Sequence, residues 1–159
     1  MGPAPRTPFP ADLEKLLLSV VAGPIVTAQE LENQAALKGA YLLIITLDHD
    51  FDLEIKTLPA TRLKAGSYIY SGSAFGPGGM KARLKRHFST TKRRHWHIDH
   101  LSLAAISMRA LVLADGNECH LVNALLKSRQ FQQPVRGFGA SDCRTCQSHL
   151  LYWSGRNPG

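Results

Sequence analysis

Hydrophobic residues near the start of the chain recur at helical spacing. Leucine and valine fall on one stripe within Pro10–Val21, which predicts a first helix. Thr27, with Glu30 three residues later, is typical of a capping box and predicts a second helix through about Leu37. This N-terminal helical extension, residues 11–37, is expected to pack on the rest of the chain. A docking arm for a partner is the less common alternative.

The pattern changes to that of β-strands after residue 39. A nearly continuous apolar run, Tyr41 to Leu47, has the length and composition of a buried central strand. Asp52 to Thr57 alternates as a second strand, Ser67 to Ser71 follows a glycine as a third, and Met108 to Leu113 is expected as a fourth. These segments predict an α/β fold of the α+β kind, with a small, central, mainly antiparallel sheet flanked by helices.

Helical spacing returns in the second half of the chain. The glycine-rich break at residues 76–79 precedes an apolar stripe that includes Met80 and Leu84, with basic residues between its members. A further helix is predicted from about Asn117 to Arg129, and Trp96 is expected to begin a short one. The basic residues should therefore form one face of a helix.

The length of 159 residues suits one compact domain. The expected organisation is a disordered leader at 1–10, the helical extension at 11–37, a main domain at 38–153 and a flexible tail at 154–159. No apolar run approaches the roughly 20 residues that a membrane span requires, and residues 1–10 lack the apolar core of a secretory signal. The odd number of cysteines, three, favours reduced thiols, so we expect a cytoplasmic protein with no membrane partner and no particular oligomeric state.

Positive charge is concentrated in one part of the chain. Lysine and arginine number 19 against 12 aspartate and glutamate, and no acidic residue lies between Lys81 and Arg94. A basic segment of this kind attracts a polyanion by releasing its counterions, so DNA is the expected partner, with RNA as an alternative. A solvated helix face is the other interpretation. The expected nucleic-acid-binding residues are Lys81, Lys85, Arg86, Lys92, Arg93 and Arg94.

Two tripeptides on predicted strands carry a family resemblance. Gly39-Ala40-Tyr41 and Tyr70-Ser71-Gly72 resemble the paired signature of the GIY-YIG nucleases. Arg83, His87 and Glu118 follow in the order that this family shows, with the glutamate opening a later helix. The resemblance implies a GIY-YIG-like fold and a metal-dependent endonuclease acting on DNA.

Three further strings look like one branch of that family. Trp96 to His100, Gly137 to Cys143 and Ser148 to Leu150 resemble stand-alone, uncharacterised GIY-YIG-like proteins, a branch that also occurs fused to endonuclease III-type repair enzymes. The resemblance covers roughly Lys38 to Trp153. It adds DNA repair to the expected functions.

The chain departs from the family pattern in two places. Ala40 and Ser71 stand where bulky aliphatic residues are usual, and because they alternate with the tyrosines along a strand they should point away from the site. A glycine-rich insertion, Phe75 to Gly79, lengthens the loop before Arg83. Arg86 is therefore kept as the alternative phosphate-binding arginine.

Hydrolysis of a phosphodiester needs a base, positive charge at the phosphorus and help for the leaving oxygen. By resemblance, Glu118 is the ligand of one Mg²⁺ or Mn²⁺, since hard cations take oxygen donors. Arg83 would bind the scissile phosphate, and His87, one helical turn later, would orient water or a phosphate oxygen. These residues make one site out of two helices.

The two tyrosines are the candidate proton acceptors. A phenol whose pKa of about 10 is lowered by a neighbouring cation could take a proton from water. Tyr70 is the expected base and Tyr41 its positioning partner, with the reverse assignment left open. His97 and Asp99 are expected to support the site.

Cysteine and histidine near the C-terminus suggest a second kind of metal site. Cys143, Cys146 and His149 are spaced as zinc ligands, and His95, His97 or His100 could supply a fourth. A single CxxC pair is weak evidence, so zinc ranks below Mg²⁺ or Mn²⁺ as the expected cofactor.

Two other function classes compete with the nuclease. A non-catalytic nucleic-acid-binding module would keep the fold without turnover, and a zinc-stabilised interaction domain would depend on the cysteines. The joint presence of all five site residues, Tyr41, Tyr70, Arg83, His87 and Glu118, favours the nuclease.

Overall fold

The computed structural model describes residues 10–21, 23–31, 37–140 and 145–155. The predicted leader, except Pro10, and the predicted tail, except Ser154 and Gly155, lie outside the described residues. The helices are α1 (Ala11–Val20), α2 (Gly79–Phe88), α3 (His97–Ser102) and α4 (Glu118–Leu126). The strands are β1 (Ile25–Val26), β2 (Gly39–Leu47), β3 (Phe51–Leu53), β4 (Thr61–Leu63), β5 (Gly66–Ala74), β6 (Ser107–Ala114), β7 (Phe131–Gln132) and β8 (Leu150–Trp153).

A six-stranded antiparallel sheet organises the chain, in the order β1-β6-β2-β5-β8-β7. Its central strand β2 is buried along its whole length, as the apolar run predicts. The pairing of β2 with β5 places Tyr41 opposite Gly72 and Leu43 opposite Tyr70. The α+β fold with helices on a mainly antiparallel sheet is therefore confirmed.

Each face of the sheet is covered by a separate core. Odd-numbered residues of β2, among them Tyr41 and Leu43, pack with α2, α3 and Phe138. Even-numbered residues, such as Leu42, pack with α1 and α4. We call these the α2 face and the α4 face. The alternation follows from the two-residue period of a strand, and it puts every side chain of β2 into a core.

All of the predicted helices but the second are confirmed. α1 buries Leu13 and Leu17, α2 buries Met80 and Leu84, and α4 begins after Asn117, whose side chain accepts hydrogen bonds from two backbone N–H groups. α1 packs on α4, so the first part of the extension lies on the domain, as expected. The packing of leucines on one stripe accounts for its position.

The second predicted helix is different from expectation. Glu30 accepts hydrogen bonds from the backbone N–H and hydroxyl of Thr27, but the described residues after Thr27 form a turn. Ile25–Val26 has paired with β6 just before it, so the chain is leaving the sheet edge at this point. Residues 32–36 of the predicted helix lie outside the described residues.

The second predicted strand is shorter than expected and lies elsewhere. Only Phe51–Leu53 is a strand, and it pairs with Thr61–Leu63 in a separate two-stranded ribbon instead of joining the central sheet. The backbone N–H of Leu58 bonds to the carbonyl of Ile55, which turns the chain before Thr57 could extend the strand.

Within the described part of the chain, no helix is long and apolar enough to cross a membrane.

Candidate functional site

The two signature tyrosines lie on adjacent strands of the α2 face. Tyr41 stands opposite Gly72, and Tyr70 is two residues before that glycine on β5. A Cβ atom at Gly72 would lie 2.5 Å from Cζ of Tyr41, so only glycine lets the Tyr41 ring lie across β5. Ala40 packs in the core of the α4 face, as expected of a residue pointing away from the tyrosines.

His87 of α2 forms a buried hydrogen bond with Tyr41. The Tyr41 hydroxyl oxygen lies 2.6 Å from His87 Nε2, and His87 is fully buried. Burial, reinforced by the positive charge of Lys92, lowers the pKa of His87 to about 3, so the imidazole is neutral at physiological pH. Burial also raises the pKa of Tyr41 well above its ordinary value. Because both groups are neutral, the Tyr41 hydroxyl donates to Nε2 in the tautomer that carries the ring proton on Nδ1.

This tautomer also determines the state of the other ring nitrogen of His87. With Nε2 accepting, the ring proton is on Nδ1, and Nδ1 is buried with no hydrogen-bond partner in the described structure. A buried unpaired donor is unfavourable, which marks His87 as a residue held in place by its surroundings. Tyr41, Tyr70 and Trp96 all contact its ring.

Arg83 and Glu118 complete the predicted set around Tyr41. The positive charge of Arg83 lowers, and the charge of Glu118 raises, the pKa values of both the Tyr41 and the Tyr70 phenol. Glu118 is the first residue of α4, and its backbone carbonyl accepts a hydrogen bond from the Ser71 hydroxyl at 2.8 Å. Helix α4 is thereby tied to β5 one residue beyond Tyr70. The structure thus brings all five predicted catalytic residues together.

The expected lowering of the tyrosine pKa values is wrong for the chain alone. Burial, reinforced by the charge of Glu118 and opposed by that of Arg83, raises the pKa of Tyr70 to about 12. The same balance holds for Tyr41, where Tyr70 also raises the pKa. The sequence showed the neighbouring cation but not how deeply the phenols are buried.

Arg86 is occupied elsewhere and is no alternative to Arg83. Its guanidinium donates to Asp99 Oδ2 at 2.6 Å and to the backbone carbonyl of Arg93. Asp99 is fully buried and also accepts from the backbone N–H groups of His95 and Trp96. Asp99 therefore supports the site by fastening α3 to α2.

The guanidinium groups of Arg83 and Arg86 both contact the Trp96 ring. The guanidinium carbons of Arg83 and Arg86 lie 4.5 and 4.6 Å from the centre of that ring. Trp96 in turn contacts His87. Asp99 fixes Arg86, and Arg86 contacts the Trp96 ring. Arg83 contacts the same ring, so its movement is restricted as well. The insertion before Arg83 has not displaced it from the site.

The predicted nucleic-acid-binding residues have different roles in the structure. Lys92 donates to the backbone carbonyl of His87 at 2.6 Å, and burial lowers its pKa to about 8. Like Arg86, it has a structural role, because its side chain holds the end of α2. Lys85, Arg93 and Arg94 are exposed, and Lys81 is partly exposed. These four remain as the candidate phosphate-binding surface.

His97 holds a loop beside Tyr70. Its Nδ1 accepts from the backbone N–H of Gly139 at 2.9 Å, and its Nε2 lies 3.3 Å from the Thr57 hydroxyl. Gly139 has φ +65, and a Cβ atom there would lie 2.6 Å from Cε1 of Tyr70. His97 therefore holds the backbone of Gly139 next to the Tyr70 ring.

The predicted zinc ligands are only partly brought together. Cys146 and His149 lie close to Cys119, a residue that the spacing argument missed, and Cys143 lies outside the described residues. Among the described residues, His95, His97 and His100 are not in this group. Cys119 follows Glu118 in the first turn of α4 and belongs to no spacing motif, so only its distance in space reveals it.

Glu118 is the residue of the tyrosine site that could hold a hard cation. It is half-buried, it opens a helix, and its charge acts on both the Tyr41 and the Tyr70 phenol. One carboxylate, with water and substrate oxygens, suits Mg²⁺ or Mn²⁺. Glu118 would be the protein ligand of such an ion.

Comparisons with known proteins give one finding. No curated protein and no solved structure matches the chain. A family model described as "Domain of unknown function DUF123" matches residues 40–158, which include every residue of the tyrosine site and the Cys119 group. Because this match covers most of its length, the chain belongs to the DUF123 family.

Proposed function

We propose that this chain is a metal-dependent endonuclease of the GIY-YIG type that hydrolyses phosphodiester bonds in DNA. The observation that carries the proposal is the buried 2.6 Å hydrogen bond between Tyr41 and the neutral imidazole of His87. It lies beside Arg83, which can bind an anion, and Glu118, which can bind a cation. The motif order noted in the sequence supports the same function.

Arg83 binds the scissile phosphate in this proposal. Its fork of N–H donors matches two phosphate oxygens, and the stack on Trp96 limits how far it moves. Glu118 would hold one Mg²⁺ or Mn²⁺, which supplies positive charge to the developing pentacovalent phosphate when it is bound. Positive charge at both sides of the phosphate is the main requirement of this reaction.

The Tyr41–His87 pair accepts the proton of the attacking water. As the water oxygen bonds to phosphorus, its proton passes to the Tyr41 oxygen and the Tyr41 proton passes to His87 Nε2. The bond from phosphorus to the 3′-oxygen breaks, and that oxygen takes a proton from solvent. The hydrogen bond to a neutral imidazole favours Tyr41 over Tyr70 as the base. Tyr70 is then the positioning partner.

Burial of His87 raises the energy of the imidazolium in this step. The negative phosphate bound by Arg83 offsets that energy, so the pair becomes effective only with substrate in place. The Tyr41–His87 pair would therefore accept a proton from water only when substrate is bound.

A non-catalytic nucleic-acid-binding module is the second candidate function. The observation favouring it is that burial keeps both phenols protonated in the chain alone. Such a module would bind DNA or RNA through the exposed basic residues and would never cleave it. Cleavage of a nucleic acid distinguishes the endonuclease from the binding module.

The test is a cleavage assay on a panel of end-labelled substrates. The panel contains single-stranded, duplex, branched and abasic DNA and a matched RNA, each with Mg²⁺, Mn²⁺ or EDTA. The proposal expects cleavage of at least one DNA substrate with Mg²⁺ or Mn²⁺ and none with EDTA. Binding without cleavage throughout the panel would favour the binding module instead.

A further inference from the structure

Three soft or borderline metal ligands meet on one side of α4. Cys119 lies in the first turn of α4, Cys146 precedes β8 by a few residues, and His149 is the residue before β8. Their Sγ and imidazole nitrogen atoms all lie within 4.8 Å of one another. None of the three has a role in the proposed cleavage reaction.

The distances suit one tetrahedral ion. Zinc binds thiolate sulfur at about 2.3 Å and imidazole nitrogen at about 2.0 Å, which puts neighbouring S and N ligands about 3.5 Å apart. Cys119 Sγ lies 3.7 Å from His149 Nε2, close to that value. A modest contraction of the group would complete the geometry.

The chemistry of the donors selects the class of metal. Two thiols and one imidazole are typical of Zn²⁺ and are poor ligands for Mg²⁺. The carboxylate of the adjacent Glu118 acts on Tyr41 and Tyr70, so it belongs to the other site. Two ions of different chemistry can therefore be bound by consecutive residues of one helix.

The backbone around His149 fixes the imidazole before any metal binds. The N–H of His149 donates to the carbonyl of Phe138 at 2.8 Å, and its carbonyl accepts from the N–H of Ser71 at 3.0 Å. His149 is almost fully buried. Asn117 caps the N–H of Cys119, which fixes the other end of the group. A ligand set held on two separate elements in this way is suited to joining them.

We propose that Cys119, Cys146 and His149 bind one Zn²⁺, which fastens the first turn of α4 to the segment before β8. Water or a further donor completes the tetrahedron. This site stands independently of the nuclease proposal, because it concerns binding of a metal and rigidity of a segment. Its location gives it a consequence for that proposal, since the same helix turn carries Glu118.

The test measures metal on the untagged full chain. After purification with a slight excess of Zn²⁺ and a reductant, followed by removal of unbound metal, elemental analysis is expected to find about one zinc per chain. Replacement by Co²⁺ should give the visible d–d bands of a tetrahedral site and a thiolate-to-metal charge-transfer band. Cys119→Ser and Cys146→Ser should each remove the charge-transfer intensity of one thiolate and release most of the zinc.

His120→Gln is the matched control, because His120 is exposed, directly follows Cys119 and is not in the group. It should keep both the zinc and the cobalt spectrum. Amide exchange adds a test of the fastening role: removal of zinc should speed exchange at Cys119 and Ser71 several-fold.

Three results would overturn the zinc site. One is a parent chain without zinc and without a cobalt–thiolate spectrum, which is decisive even if the serine variants fail to fold. Another is a Cys119→Ser or Cys146→Ser variant that keeps its zinc. The last is a Cys119–Cys146 disulfide in freshly isolated chain, detected as a loss of two hydrogens in mass. The cleavage assay affects none of these readouts, so failure of one proposal is distinguishable from failure of the other.

Discussion

Gly72 shows how an absent side chain positions a reactive group. The Tyr41 ring occupies the space that a Cβ atom at Gly72 would take, and the Tyr41 hydroxyl thereby reaches His87. Tyr41 is fully buried, so its ring has little room to move. The glycine of the second tripeptide is needed for the tyrosine of the first.

Gly72→Ala should therefore lower stability and disturb the site. We expect a loss of about 2 to 3 kcal/mol in the free energy of unfolding, measured by urea denaturation, because the methyl group overlaps a confined ring. Gly76→Ala is the control, since a Cβ atom at exposed Gly76 meets nothing within 4 Å. Equal stability of the two variants would contradict the described packing of Tyr41.

The state of His87 makes a second prediction, on pH. Its pKa is about 3 in the folded chain against about 6.5 when unfolded, mainly because of burial, with Lys92, Arg83 and Arg86 adding to the effect and Asp99 opposing it. Well above pH 6.5, His87 is neutral in both the folded and the unfolded chain. As pH falls below 6.5 the unfolded chain gains the proton first, so stability decreases by about 2 to 3 kcal/mol between pH 6.5 and 4.5.

His87→Gln should flatten this part of the pH profile, because glutamine offers Tyr41 an acceptor but does not titrate. The measurement is urea denaturation at intervals from pH 7.5 to 4.5. His120→Gln, at an exposed position, should leave the parent slope unchanged. Part of the slope should remain, because burial also lowers the pKa values of His97 and His100. A slope equal to that of the parent would contradict the neutral state of His87 in the folded chain.

The sequence predicted the members of the tyrosine site but not their ionisation. Tyr41, Tyr70, Arg83, His87 and Glu118 could be found because two short motifs and an order of residues mark them. Burial depends on the packing of α2 against the sheet, which a local pattern does not describe. For the same reason Cys119 was missed, since its neighbours are distant in sequence.

At the scale of elements, a single carboxylate joins α2 to α3. Asp99 Oδ2 accepts from Arg86 and from two backbone N–H groups at the start of α3. Although burial alone would raise the pKa of Asp99, the backbone hydrogen bonds and Arg86 outweigh it and lower the pKa. The charged form of Asp99 therefore stabilises the junction.

Asp99→Asn tests this junction. The variant keeps an acceptor oxygen but removes the charge opposite partly buried Arg86, so we expect a loss of about 2 to 3 kcal/mol in unfolding free energy. Asp52→Asn is the control, since Asp52 pairs with Arg62 on the surface and should change stability by less than about 1 kcal/mol. If both variants lose equally little, Asp99 is not the fastening between the helices.

Long elements were predictable, and strands of two or three residues were not. β2, β5, β6, α1, α2 and α4 each contain enough residues for a hydrophobic period to stand out. Strands of two residues, such as β1 and β7, have no period, and pairing with β6 and β8 creates them. The predicted strand beyond Leu53 failed because alternation alone does not show where a chain turns.

On the scale of the whole molecule, exposed positive charge lies on both faces of the sheet, and one pair of arginines is on the side of the tyrosine site. Arg93 and Arg94 follow α2, which covers the α2 face, whereas Lys15 and Lys127 belong to the helices of the α4 face. All four side chains are exposed. If a nucleic acid binds over the tyrosines, only the first pair should contact its phosphates.

Salt dependence of DNA binding separates the two pairs. Replacing Arg93 and Arg94 with alanine should reduce the slope of log affinity against log salt by about 1.8 for duplex DNA, since each phosphate contact contributes about 0.9. The double variant Lys15→Ala, Lys127→Ala removes the same charge from the other face and should keep the parent slope. Fluorescence anisotropy over a salt series measures both, and an equal effect of the two would indicate binding by net charge alone.

Glu118→Gln, compared in cleavage and in binding, tests the central claim most directly. The substitution keeps the size of the side chain and the backbone contact to Ser71 but removes the charge that would hold Mg²⁺ or Mn²⁺. We predict a loss of at least about 10²-fold in the single-turnover cleavage rate, with DNA affinity unchanged or slightly higher. Glu54→Gln, at an exposed residue, should cleave like the parent chain. A Glu118→Gln chain that cleaves at the parent rate would contradict the assignment of this site to metal-dependent hydrolysis.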